Sequence, residues 1–236
     1  MQPTLWTLLL LATTMVFGQT KETGSEKLSK QAIDQLFTDS LNEKLGITYP
    51  IYKAFKCNDK SGQFYIVLTE SNDTITPEND TLNYKIKAFN FHKDKTGFTK
   101  TWEINDFITR QSCGDGMENS IWFWTRYSTF TDIDSDKLID PVIVYGTSGI
   151  NYTGDGRIKI LIYHKGQKFA IRHQNGVFDF ERNTKVDNGF YALPLKIQMH
   201  IKQMMNKMQE HGNAIFPYGW QKAMKAHKLY FDENRK

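Results

Sequence analysis

The sequence predicts a mainly β fold with C-terminal helices: an antiparallel meander or incomplete β-propeller-like sheet that the helices cover. Three observations predict it. First, short segments that alternate or run apolar (residues 63–69, QFYIVLT; 82–92, LNYKIKAFNFH; 99–104, TKTWEI) are separated by the turn-rich stretches DKSG, SNDTITPEND and KDKTG. That is the pattern of successive antiparallel strands. Second, residues 121–146 hold two strand-like runs, one aromatic and one β-branched, around an acidic turn. Third, Ile197, Ile201, Met204, Met205 and Met208 recur at helical spacing between Pro194 and Gly212, a start and a stop for an amphipathic helix. The alternative architecture is an α+β fold with one curved sheet.

Residues 1–18, MQPTLWTLLLLATTMVFG, read as a secretory signal peptide. The apolar run has the length of a signal core and ends in small residues, and it is too short to favour a membrane span, which needs about 20 apolar residues. Export to the periplasm or cell surface is the expectation, with no transmembrane span in the mature chain. The formal net charge of +4 is unchanged by removal of residues 1–18, which carry no charged side chain. The lysines are spread along the chain, so no basic stripe of a nucleic-acid binder forms.

Residues 19–46 make a charged segment in which Ala32, Ile33, Leu36, Phe37 and Leu41 predict a short helix stopping at Gly46. Residues 47–236 then read as a single β-rich domain with C-terminal helices. Its two cysteines, Cys57 and Cys113, allow one disulfide, which would close a loop of 55 intervening residues. Such a bridge contributes about 2–4 kcal/mol where geometry permits it. A paired-cysteine metal site is excluded by spacing. Beyond the acidic turn, 157–163 (RIKILIY) and 168–173 (KFAIRH) predict a hairpin around Lys165 and Gly166. A second helix follows Pro217, with Trp220, Ala223, Met224 and His227 on one face and Lys222, Lys225 and Lys228 on another.

The acidic turn carries Asp132, Asp134, Asp136 and Asp140 between the two most apolar runs. Three carboxylates within five residues repel one another unless a cation or water screens them, and a hard cation such as calcium takes six to eight oxygen ligands. Asp132, Asp134, Asp136, the Leu138 carbonyl and Asp140 match the first half of an EF-type loop. Lys137 replaces the glycine of that loop and Ile143 replaces its bidentate Glu, so an EF-hand is not predicted.

The stretch FTDIDSDKLIDPVIVYG resembles the strand, DxDxDxxxD loop, strand unit of FG-GAP or VCBS-type calcium-binding β-propeller blades. Those loops usually have Gly at the fourth and sixth positions, where this chain has Ser135 and Lys137. The resemblance implies structural calcium. A wider set of blocks, DTLNYKIKAFNF, IWFWTRY, DIDSDKLIDPVIVYGT, DGRIKILIYHKGQKFAIRHQNGVFDFERNT and AIFPYGWQKAM, resembles a family of exported Bacteroidetes proteins named for surface polysaccharide biosynthesis. It implies an envelope protein linked to lipopolysaccharide or capsule, and assigns no catalytic residues to carry over.

Three functions follow as expectations. The first is binding of an envelope glycan, to which aromatic rings and a mildly basic charge are suited. The second is inhibition of a cell-wall hydrolase by binding a periplasmic protein, which similar calcium-loop proteins imply. The third is glycan processing. A ligand surface or catalytic site would use Arg172, His173, Asp179 and Glu181, which combine a general base with orienting carboxylates. No nucleophile elbow, HExxH or nucleotide-binding glycine loop occurs.

Overall fold

The computed structural model of the protein describes residues 23–109 and 117–233. The signal-peptide reading of residues 1–18 and the Cys113 half of the possible disulfide lie outside the described residues. Cys57 itself is fully buried.

The predicted class is observed: antiparallel strands dominate, and helices close the C-terminal part. The strands are β1 Gly24–Lys27, β2 Ile51–Asp59, β3 Gly62–Glu70, β4 Thr74–Ile75, β5 Thr81–Leu82, β6 Lys85–Asp94 and β7 Gly97–Phe107, then β8 Ser120–Phe123, β9 Thr129–Thr131, β10 Asp140–Ser148, β11 Arg157–His164, β12 Gln167–Gln174, β13 Asn183–Val186 and β14 Tyr230–Asp232. One sheet has the order β1-β2-β3-β6-β7, the other β14-β13-β12-β11-β10-β8 with β9 also on β10. The short β4–β5 ribbon connects β3 to β6.

Alternation along the strands explains how the two sheets stack. In β3, Phe64, Ile66 and Leu68 enter one core while Tyr65 and Val67 enter another. In β10, Ile143 and Tyr145 share the core of Phe64, Ile66 and Leu68, while Val142 and Val144 face the opposite way. The middle core is therefore the space between two sheets packed face to face. Both β3 and β10 are buried on two faces, which is why their sequences run apolar instead of alternating. Gly146 interrupts the run in β10 because a Cβ there would meet the Trp124 ring and the Arg157 carbonyl at under 3 Å.

Helices α1 Lys30–Leu36 and α2 Asp39–Leu45 cover the outer face of the first sheet through Phe37, Leu45 and Ile47, which meet Tyr65, Val67, Phe89 and Phe91. One helix was expected here, and two form. Ser29 Oγ accepts from Ala32 N at 3.1 Å and Thr38 Oγ1 from Leu41 N at 3.4 Å, so Thr38 starts a second helix. The segment is also part of the fold, since β1 pairs with β2.

Helices α3 Leu195–Glu210 and α4 Trp220–Lys225 cover the outer face of the second sheet. Ile197, Ile201, Met204, Met205 and Met208, with Trp220 and Met224, pack on Val142, Val144, Ile158, Ile160 and Ile171. The methionine stripe is core, where unbranched side chains fill irregular gaps. Among the described residues no helix is long and apolar enough to cross a membrane.

Candidate functional site

The aromatic run before the acidic turn is two strands, β8 and β9, both paired with β10. Residues 132–139 therefore join β9 to β10 as the loop of a hairpin. Ligand oxygens of Asp132, Asp134 and Asp136 lie within 4.8 Å of one another. Backbone N–H groups already order them. Asp132 Oδ1 accepts from Ser135 N at 2.7 Å and Asp136 N at 3.0 Å, Asp132 Oδ2 from Lys137 N at 2.9 Å, and Asp136 Oδ1 from Leu138 N at 2.9 Å. Burial pushes the Asp136 carboxyl up, but that N–H and the charges of Lys165 and Lys60 hold it below the usual carboxylate range.

Ser135 and Lys137 have φ of 73° and 68°. These are the two positions where the resembling loops carry Gly, and the left-handed backbone is kept here at a cost of about 1–2 kcal/mol per residue. Strain of this size persists where surroundings enforce it. Three outside segments do so. Lys60 N donates to the Lys137 carbonyl at 3.0 Å and Asp59 Oδ2 accepts from Ile139 N at 3.0 Å, both from the β2–β3 turn. Lys196 Nζ of α3 donates to Ser135 Oγ at 2.9 Å. Lys165 Nζ, from the β11–β12 turn, lies 3.1 Å from Asp136 Oδ2.

Asp140 does not join the triad. Its side chain is 1% exposed; Oδ2 accepts from Ile133 N at 3.0 Å and Oδ1 lies 2.8 Å from His164 Nδ1. Burial pushes its carboxyl above the usual range. Leu138 enters the loop's bonding through its N–H. The donor set that fits a hard cation is thus Asp132, Asp134 and Asp136.

No family model matches the chain, and neither a curated protein nor a solved structure is similar to it.

The expected constellation of Arg172, His173, Asp179 and Glu181 is not one site. His173 is 3% exposed, so it is no surface ligand. Asn175 donates through Nδ2 to the Thr153 and Asn213 carbonyls, which leaves its Oδ1 facing His173 Nε2 at 2.8 Å as an acceptor. His173 is therefore the Nε2–H tautomer, with Nδ1 accepting from Thr184 Oγ1 at 2.9 Å. Burial pushes its pKa down to about 4. A neutral imidazole with both nitrogens taken serves the fold, not proton transfer. Arg172 pairs with Asp187 at 2.6 Å, Asp179 with Arg182 at 2.8 Å, and Glu181 Oε2 accepts from Phe178 N at 2.9 Å.

Two features were not read from the sequence. One is a groove of about 1270 Å³ where the sheets meet the β4–β5 ribbon, with Tyr52, Glu70, Asn72, Asn83, Trp122 and Tyr152 among its lining. Glu70 is buried; Oε1 accepts from Phe123 N at 3.0 Å and Oε2 from Asn83 Nδ2 at 3.3 Å. Burial pushes its pKa up to about 7, against these bonds and the charge of Lys53. A Glu closing the apolar run QFYIVLT is the one signal that marked it. The other is an ion network across the sheets: Arg157 Nε to Glu118 Oε1 at 2.6 Å, Arg157 Nη1 to Asp106 Oδ1 at 3.1 Å, and Lys159 Nζ to Asp106 Oδ2 at 2.5 Å.

Proposed function

We propose that the protein is an exported envelope protein that acts by binding a glycan of lipopolysaccharide or capsule type, with calcium as a structural ion in the 132–140 loop. The observation that carries the reading is the composition of the groove beside Glu70. The rings of Tyr52, Trp122 and Tyr152 share it with the side-chain amides of Asn72 and Asn119, while buried Asn83 is taken up by Asn72 N and Glu70. Ring faces pack on the C–H faces of sugars, and amides exchange hydrogen bonds with hydroxyls. Two of the groove's carboxyls are already engaged by the fold, Glu118 in an ion pair with Arg157 and Glu70 with Phe123 N and Asn83.

In the loop, Asp132, Asp134 and Asp136 would hold the ion, and its positive charge would screen their repulsion. The chain's own part is to hold these carboxylates together through the N–H groups of residues 135–138 and to keep β9 in register with β10. The test of function is calorimetry and glycan-array binding with purified envelope polysaccharides. Tyr152→Ala, at a groove side chain that is 82% exposed, should weaken binding about tenfold with an unchanged melting midpoint. Failure to retain any such glycan would overturn the reading.

The second reading, inhibition of a cell-wall hydrolase, is favoured by an exposed apolar patch. Phe178 and Phe180 stack at 5.6 Å and 6°, both more than half exposed, beside Val177. Pull-down from envelope extract separates the readings: one hydrolase partner, lost in Phe178→Ser/Phe180→Ser, supports inhibition.

A further inference from the structure

We propose that the groove beside Glu70 takes a glycan carrying free amino groups, and that it recognises the ammonium through the Tyr152 ring and the carboxylates of Glu78 and Asp80. The inference rests on the glycan-binding reading and adds to it the charge class of the ligand.

The groove's lining holds no lysine, arginine or histidine, although the chain carries a formal net charge of +4. It does hold four carboxylates, those of Glu70, Glu78, Asp80 and Glu118. Two of them are answered from within the fold, since Glu118 pairs with Arg157 and Glu70 feels the charge of Lys53. Neither cation is free to turn into the groove. Arg157 also binds Asp106 and the Phe107 carbonyl, and Lys53 Nζ donates to Thr125 Oγ1. Glu78 and Asp80 are left. Both stand exposed in the turn between β4 and β5, and neither has an ion-pair partner among the described residues. The turn that carries them is ordered: Thr76 N donates to the Asp80 carbonyl at 2.9 Å and Asp80 N to Thr76 Oγ1 at 3.2 Å. A cleft lined by one sign of charge gathers ligands of the other sign and repels its own.

Tyr152 supplies a second, independent observation. Its φ of 54° and ψ of −129° belong to a backbone that favours glycine. The ring is 82% exposed, so burial does nothing to offset that strain. The loop is nonetheless pinned. Gly149 N donates to the Tyr152 carbonyl and Asn119 Nδ2 to the Gly149 carbonyl, both at 2.9 Å, and Asn175 Nδ2 donates to the Thr153 carbonyl at 2.6 Å. A strained residue with an open aromatic face, fixed on the wall of a groove, is a surface for a ligand. Such a face attracts a cation as well as the C–H face of a sugar. In the same lining Tyr52 already carries an ammonium, with Lys53 Nζ 4.6 Å from its ring centre. A sugar amine in its ammonium form suits both the ring and the carboxylates. An acetylated amine suits only the ring.

The experiment is calorimetry of the protein with a short β-1,4-linked glucosamine oligosaccharide, below the pKa of its amines. The comparison ligands are its fully N-acetylated counterpart, an oligogalacturonate of the same length and a lysine oligopeptide. We expect the glucosamine oligosaccharide to bind at least tenfold tighter than the acetylated one, with a preference that salt weakens, and oligogalacturonate not to bind. Glu78→Gln/Asp80→Asn should bring the two sugar affinities together without moving the melting midpoint, because both side chains are exposed. Tyr152→Ala should weaken both. Equal affinity for the charged and acetylated sugars, binding of oligogalacturonate, or a preference that survives Glu78→Gln/Asp80→Asn would each overturn the charge assignment and spare the glycan reading. Binding of the lysine oligopeptide with no sugar retained would overturn the sugar as carrier, and the glycan reading with it.

Discussion

Lys165 Nζ stands 3.1 Å from Asp136 Oδ2, so a side chain from the β11–β12 turn already brings positive charge to the acidic triad. An ion in the loop has to displace or share that charge. We expect the melting midpoint to rise with free calcium, by an amount equivalent to about 2.7 kcal/mol at a hundredfold excess over the dissociation constant. Lys165→Gln should raise calcium affinity several-fold while lowering stability in chelator. A midpoint indifferent to both calcium and chelator would reduce the triad to a turn capped by its own N–H groups.

Lys137 sits at φ 68° with its N–H donated to Asp132 Oδ2. Lys137→Gly keeps that bond and removes the Cβ penalty, at the expense of a more flexible unfolded chain. The net expectation is a gain of about 0.5–1 kcal/mol, with Lys137→Ala giving none. Denaturant melts of the two variants decide it.

Arg157 is the centre of the inter-sheet ion network, flanked by Glu118 and Asp106. Arg157→Leu leaves Glu118 without its cation and Asp106 with Lys159 alone in a largely buried setting, and should cost about 3–5 kcal/mol. Adding Glu118→Gln and Asp106→Asn should recover part of the loss, because neutral amides do not repel. If the triple variant is no better than the single one, the network is not electrostatic in origin.

Glu70 and His173 impose opposite pH dependences. The folded pKa of Glu70 is raised from 4.5 to about 7, so the folded state binds the extra proton and stability falls as pH rises from 4.5 to 7. That of His173 is lowered from 6.5 to about 4, so stability rises with pH from 4 to 6.5. Each amounts to about 3 kcal/mol across its window. Glu70→Gln should expose the rising slope, and His173→Phe the falling one. Stability measured from pH 4 to 8 checks both, and parallel curves for wild type and Glu70→Gln would refute the burial of a titrating carboxyl.

Local periodicity was legible and correct. The apolar runs at 63–69 and 142–144 are strands, the Ile197 to Met208 stripe is a buried helix face, and Lys165 with Gly166 makes a two-residue hairpin turn with φ of 49° and 77°. The spacing of Asp132, Asp134 and Asp136 likewise sufficed to bring their oxygens together, because alternate residues of one short loop converge whatever surrounds them.

What the sequence by itself determined was therefore everything set by hydrogen-bond and side-chain periods within about ten residues: element type, the mainly β class, and the acidic triad. What only the tertiary structure decided was which faces meet. His173 and Arg172 are neighbours in sequence, yet one is buried and the other exposed, because adjacent strand residues point to opposite faces. Asp140 fits the metal spacing but faces His164, and the ends of the sheets bring Glu70 to Phe123 and Trp102 to Tyr163. Those meetings follow from stacking two sheets to bury both faces of β3 and β10, a requirement of the whole chain that no short stretch of it encodes.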